Sequence, residues 1–417
     1  MLIEFRVRNF RSLRDEQVLS LVAAKDKTLV DTNTIETGLP AAPRVVRSAV
    51  VYGPNAGGKS NLLKALQWMQ WFVVGSAQLE RPPRLAVTPF RLDGVSAGQP
   101  MAFEVTFVRE GVRYQFGFAL TAERVVREYL LVYKTAKPQK WYERTFDPAT
   151  GQDRYEFGTG LSGQKTVWEK ATRPNSLFLS IAITLNSSAL KPVYEWFASN
   201  LLIYNNLNGC TGEWSIECLD ADADVYNPMI KTILLGADAG ISDIKLVTRK
   251  EKIPTLQRHP LTGEELVAEH EFKDIQFVHQ TGSAKVEFTI YDESTGTQIL
   301  FFLAGPILFA LAAGFTILID ELDNSMHPLL VRQLVRLFHS TTLNSKGAQL
   351  IFCTHDSSLL DADLFRRDQI WFVEKDREQA SKLYPLTEFS PRKNEALERG
   401  YLMGRYGALP FFRDWSL

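Results

Sequence analysis

The sequence predicts an α/β protein: a parallel sheet covered by helices, joined to an antiparallel β subdomain and an inserted helical subdomain. Three observations carry that prediction. The last third alternates strand-like and helix-like patterns, as a parallel sheet with crossover helices does. An apolar strand over 45–52 runs directly into Gly53-Pro54-Asn55-Ala56-Gly57-Gly58-Lys59-Ser60, and a helical stripe follows. Between Ser294 and Ile319 no residue is charged, the signature of elements buried on every side.

Composition sets the outer bounds. The 417 residues are 45% hydrophobic and 23% charged, proportions that exclude wholesale disorder. The 47 basic and 48 acidic residues nearly cancel, so no global field draws the chain to nucleic acid or anionic lipid. Three cysteines, Cys210, Cys218 and Cys353, are too few for a disulfide framework and point to a reducing cytoplasm. The first residues, MLIEFRVRNFRS, hold no apolar signal-peptide core. The uncharged run is long enough to cross a bilayer, which takes about 20 residues. Gly305-Pro306 and Gly314 interrupt it, and a soluble core is the better expectation.

In chain order, residues 2–10 alternate as a half-buried strand does, and 45–52 form a second strand. Leu62, Leu63, Leu66, Trp68, Met69 and Phe72 make one apolar stripe of a helix, ended by Pro82-Pro83 and Pro89. Segments 103–108 and 114–120 alternate around Glu110-Gly111 as a hairpin, with further strands at 125–134, 141–146 and 153–157. Helical periodicity covers 167–197, interrupted by Pro174 and Pro192, and strands return at 241–248, 272–279 and 285–291. The polar stretch 249–271 reads as an exposed, mobile loop. A helix after Gly296, a strand at 315–319, a helix at 328–339, a strand at 348–353, a helix from Ser357 and a strand at 369–374 complete the alternation. The expected domains are a discontinuous core of 1–75 and 280–417, an antiparallel β subdomain of 76–160, and a helical insertion of 161–279.

The chemistry-bearing residues follow from these placements. Gly53–Ser60 fits G-x-x-x-x-G-K-[ST] between a strand and a helix, the context that confirms a phosphate-binding P-loop. Its glycines let backbone N–H groups curl around phosphate oxygens at a helix N-terminus. Lys59 is expected at the β- and γ-phosphates and the Ser60 hydroxyl on Mg²⁺, with Asn61 completing the loop's contacts. The apolar strand before Asp320-Glu321 ends where parallel sheets bind ligands. Asp320 is expected in the Mg²⁺ shell and Glu321 as the base for an attacking water. His355, at the end of the next apolar strand, is expected to sense the γ-phosphate. Leu161-Ser162-Gly163-Gln164-Lys165 spells the better LSGGQ-like signature but follows a hairpin. Ser294-Thr295-Gly296-Thr297 lies 26 residues before Asp320 at a helix start, and position assigns the phosphate-facing role to Ser294 and Gly296.

With these elements in order, the chain resembles the ABC-type ATPases of the RecF, SMC and overcoming-lysogenization-defect class. Phe5–Ser12 matches their xNFRS first strand and Asn55 the residue they favour in the loop. More narrowly, it resembles the compact bacterial AAA-family ATPases of PARIS- and AbiL-type phage-defence systems, through 292–297, 320–328, 366–374 and 400–410. The resemblance implies a P-loop ABC-ATPase head, with Gly53–Ser60 as Walker A and Asp320-Glu321 as Walker B. It also implies a D-loop at Leu322-Asp323-Asn324 touching a partner subunit, and a homodimer or higher homo-oligomer closed by ATP and Mg²⁺. Each site then takes Gly53–Ser60, Asp320, Glu321 and His355 from one chain and Ser294–Gly296 from its mate. Arg11 reads equally as a nucleotide contact or a surface arginine. No Q-loop glutamine is evident, although Thr88-Pro89-Phe90-Arg91 sits about where one belongs. The implied role is a cytoplasmic ATPase that controls a separate nuclease or toxin effector. The alternatives are a RecF-like DNA-repair clamp, which keeps nucleic acid open as a partner, and an ATP-held scaffold with negligible turnover.

Overall fold

A computed structural model describes residues 1–417 apart from 80–83, 206, 208–211, 222–225, 239, 259–264, 390–394 and 411–417. The chain divides into two compact units: 1–205, 310–323 and 331–417 form the first, and 206–309 with 324–330 the second.

Two sheets dominate the first unit. One has six strands in the order Leu201–Tyr204, Thr316–Ile319, Gln349–Cys353, Ser48–Tyr52, Ile370–Lys375, Ser381–Pro385. All neighbours run parallel except the last pair. The central strands 48–52, 316–319 and 349–353 are buried at every position, so they read as continuous apolar runs rather than alternating ones. The helices Lys59–Gly75 and Pro328–His339 lie in the connections between these strands.

The other sheet is antiparallel, with seven strands in the order 152–157, 139–147, 125–133, 112–120, 101–109, 2–8, 17–20. The first strand, Leu2–Arg8, therefore pairs with Met101–Arg109 and not with the parallel sheet. Its alternation marks it as half-buried but cannot choose the sheet it joins. Trp68 stacks on Phe72 and Phe103 at centroid distances of 5.1 Å, tying the helix Lys59–Gly75 to this sheet. Such stacking adds to the burial of large rings.

The second unit is built on a three-stranded antiparallel ribbon, Ile241–Arg258, Glu265–Thr281 and Ala284–Thr289, with helices Glu213–Ala221 and Tyr226–Ala237. This corrects two expectations. Residues 161–279 are not one helical insertion: 165–199 carry three short helices in the first unit, and strands occupy most of 241–281. The stretch 249–271 is no loop either. Its described residues continue the two long strands, with Arg249 paired to Asp274 across them. Charged and polar residues can pair cross-strand as well as apolar ones, so a polar strand mimics a loop in the sequence. At Ser357 only a single 3-10 turn, Ser357–Leu359, replaces the expected helix.

The uncharged run is resolved as the helix Thr295–Ala313 and the strand Thr316–Ile319, with Pro306 inside the helix. By length and hydropathy alone that helix could cross a membrane, yet 67% of it is buried within the protein. It is a core helix.

Candidate functional site

The Gly53–Ser60 segment leaves the sheet at Tyr52 and enters the helix Lys59–Gly75. Two of its glycines are required by close approach. A Cβ at Gly53 would sit 2.2 Å from the Val373 carbonyl oxygen. One at Gly58, where φ is +119°, would meet the Ser381 hydroxyl at 2.3 Å. Ala56 also takes a left-handed conformation, with φ 60°. Gly58 stands at the helix N-cap with no side-chain cap, leaving the helix start open to an anion.

The loop is braced from both ends of the chain. Ser381 Oγ donates to the Gly57 carbonyl (2.6 Å) and lies 2.8 Å from Ser12 Oγ, which accepts from Asn61 Nδ2 (2.7 Å). The Ser381 N–H bonds the Ser12 carbonyl at 2.7 Å. Asn9 and Arg11, both at positive φ, shape the turn that presents Ser12. Arg11 itself is exposed and lines a separate cavity of about 800 Å³ with Lys64 and Trp71. From 88–91, the Thr88 carbonyl accepts from the Arg11 N–H, and the Phe90 N–H donates to Asn9 Oδ1.

Parallel pairing brings three strand ends together. Ile319 is in register with Phe352, and Cys353 with Val51, so Asp320, Thr354-His355 and Gly53 emerge side by side. Lys59 is buried, and its Nζ donates to the carbonyls of Gly53 (2.8 Å) and Pro54 (3.3 Å) and lies 3.5 Å from His355 Nδ1. Burial pulls the Lys59 ammonium below its usual pKa. Loss of solvent, then the nearby Lys59 charge, lowers that of His355. The Asp323 carboxylate accepts the His355 N–H at 3.1 Å. Asp320 is buried beside Cys353, whose thiol is pushed well up by burial and then by the aspartate charge. Glu321 follows on the exposed side at φ 53°.

This donor set fits a nucleotide with a divalent cation. Asp320 Oδ1 and Asp323 Oδ1 are buried without a hydrogen-bond partner, a costly state unless something binds there. Among the described residues no group of three or more His, Cys, Asp or Glu could hold a metal by itself. Mg²⁺ needs none, since it commonly takes one or two carboxylates and completes its shell with phosphate and water. A cavity of about 470 Å³ opens beside these groups, lined by Pro54, Asn55, His355, Ser357 and Tyr401.

Ser294 and Gly296 lie in the second unit. Ser294 Oγ accepts the Thr297 N–H at 3.2 Å and so caps the helix Thr295–Ala313. Gly296 is packed so closely that a Cβ would stand 2.5 Å from the Ser325 carbonyl oxygen. The rival segment 161–165 is tied to local packing, with Leu161 buried and Gly163 against the Trp168 ring. Sequence reasoning missed Ser381 and Cys353. Neither belongs to a local motif, and only strand register brings them to the loop.

A strand–loop–helix unit with acids at the end of another parallel strand of the same sheet is the arrangement of a P-loop ATPase. The chain belongs to the family described as "AAA domain, putative AbiEii toxin, Type IV TA system", matched over residues 48–361. It is thus an AAA-family ATPase domain with a mixed α/β fold. No curated protein matches the chain. Among solved structures it is similar to the Smc head in "Crystal structure of the SmcHead bound to the C-winged helix domain of ScpA". That pair shares 14% identity over 92% of this chain and 97% of that one, with a TM-score of 0.44.

Proposed function

We propose that the chain binds and hydrolyses ATP with Mg²⁺ as an assembly-state switch, and that in the cell it controls a separate effector in phage defence. One observation carries the reading: a helix N-terminus with no side-chain cap, a buried lysine and two carboxylate oxygens without partners converge where three parallel strands end.

In this reading the loop N–H groups and Lys59 hold the β- and γ-phosphates. Lys59 exchanges its bonds to the Gly53 and Pro54 carbonyls for phosphate oxygens. Ser60 and Asp320 are the Mg²⁺ ligands. When bound, the ion supplies neutralising charge along the phosphates. Glu321, on the exposed rim, orients and deprotonates the water. His355, whose pKa is lowered by burial and then by the Lys59 charge, donates a ring N–H to the γ-phosphate. Ser294, Gly296 and Asp323 act between copies, so that ATP closes a homodimer. The family description names a putative toxin of a toxin–antitoxin system. A separate effector that the ATPase restrains or releases, in the cytoplasm, completes the proposed role.

Glu321→Gln tests the chemistry. The variant is expected to bind ATP with near wild-type affinity, lose turnover by about 100-fold or more, and accumulate as a closed dimer. Normal turnover would remove Glu321 from the mechanism. Lys59→Ala mixed with Ser294→Arg tests shared sites: each mixed dimer should have one intact site, so an equal mixture should regain about a quarter of wild-type activity if each site draws on both chains. Activity in neither the separate nor the mixed pools would point to sites built within one chain.

A further inference from the structure

We propose that the free edge of strand Ala284–Thr289 is a self-association surface, pairing antiparallel with the same strand of a second copy about a two-fold axis through Val286. Among the described residues the strand pairs on one side only, with Glu265–Thr281. All six of its residues are exposed, including Val286 at 50% and Phe288 at 38%. An open edge with exposed apolar side chains is a template for another strand, and monomeric proteins usually blunt such edges with charge, proline or a bulge.

The backbone fixes which groups are on offer. Thr281 and Ala284 close a two-residue turn, Gly282-Ser283, so Ala284, Val286 and Phe288 face their hydrogen bonds inward to the neighbouring strand. Lys285, Glu287 and Thr289 then point theirs outward. Consistently, the Thr289 N–H already leaves the ladder and donates to Asp292 at 2.8 Å.

The side chains are self-complementary in one register. With Val286 opposite Val286, each Lys285 faces the partner's Glu287, and each Ala284 faces the partner's Phe288. The first pairs are of opposite charge and form the hydrogen-bonded rungs; the second are apolar and lie on the other face. Two lysines at these positions would repel a copy, whereas lysine and glutamate two apart attract one, as an isologous interface requires. Lys285 has no ion-pair partner among the described residues, while Glu287 is bonded to Lys245 at 2.5 Å within its own ribbon. The pairing needs no nucleotide, so it goes beyond the ATP-closed dimer and would join such dimers into larger assemblies.

The test is the mass of the full chain in nucleotide-free buffer across a concentration series. The expected species has twice the 47.2 kDa chain mass. Lys285→Pro removes one outward N–H and spares the hairpin's own bonds, and should raise the dissociation constant at least about 10-fold. Lys285→Glu should weaken association similarly, and Lys285→Glu with Glu287→Lys should restore it. Val286→Cys should cross-link to its own copy on mild oxidation, since the central rung brings the two Cα atoms within about 4.5 Å. Each variant must keep the wild-type circular dichroism and Tm. Lys59→Ala should associate like wild type, which separates this surface from the nucleotide-driven one. A single 47.2 kDa species at every concentration, undiminished association of Lys285→Pro, or no rescue by the charge swap would overturn the proposal.

Discussion

Two buried carboxylates in the first unit are treated in opposite ways. Glu128, fully buried, accepts from the Tyr142 hydroxyl (2.8 Å) and from the N–H groups of Phe178 (2.7 Å) and Leu179 (2.9 Å). Arg144 stands 3.9 Å away, itself held by Asp153 and the Ser176 carbonyl. Burial raises the Glu128 pKa, and Arg144 opposes the rise. Asp320 is nearly as buried, yet Oδ1 has no partner. The satisfied acid is a structural joint between the antiparallel sheet and the helix Phe178–Thr184. The unsatisfied one keeps an acceptor open, as the proposed Mg²⁺ role requires. Hydrogen-bond completeness, more than burial, separates them.

That contrast can be broken by exchange of roles. The largest expected effect is on Glu128→Ala, which leaves three buried donors unpaired and removes one of the two carboxylates beside Arg144, and should cost about 3–5 kcal/mol of folding stability. Chemical denaturation checks it, and a loss under about 1 kcal/mol would mean the joint carries little. Asp320→Asn should instead leave Tm unchanged or raised while Mg²⁺-dependent turnover falls by about 100-fold, measured as phosphate release. A fall in Tm comparable to that of Glu128→Ala would make Asp320 a structural acid too.

A third buried titratable group gives a smaller effect. His339 bonds Ser48 Oγ at 2.8 Å, and burial followed by Arg47 pulls its pKa down to about 3. Its folded pKa lies below the unfolded value of 6.5, so the unfolded chain binds the extra proton and stability is lost as pH falls below 6.5. Between pH 6.5 and 5 the loss should approach about 2 kcal/mol. His339→Gln should flatten that limb of the stability profile; an unchanged slope would assign it to other groups. Smallest is Ser381→Ala, which removes the brace on Gly57 and should cost about 1 kcal/mol, read as a several-fold weaker nucleotide affinity with the fold intact. Unaltered affinity would show that the glycines alone hold the loop.

Legibility followed how local each feature is. Gly53–Ser60 was readable because the motif, the strand before it and the helix after it are contiguous. Asp320-Glu321 and His355 were readable as strand ends. The brace was not: Ser12 and Ser381 are 369 residues apart, and only the antiparallel strand Ser381–Pro385 at the sheet edge brings them into contact. Within the ribbon the strands at 241–248 and 272–279 were readable, but 249–271 misled because a polar, charge-rich stretch reads as a loop until its partner strand is known. The uncharged run was readable as core because glycine and proline interrupt it and carboxylates end it.

By itself the sequence determined the strand–loop–helix, the acids at the strand ends and the fully buried character of the central strands. Each is set by short-range sterics and by hydrophobic pattern, which are properties of neighbouring residues. Tertiary structure alone decided that Leu2–Arg8 joins the antiparallel sheet, that Ser12 and Ser381 meet at the loop, and which buried carboxylate is satisfied. Those outcomes depend on strand order and register, and pairing energies between distant segments leave no trace in the local pattern of either partner.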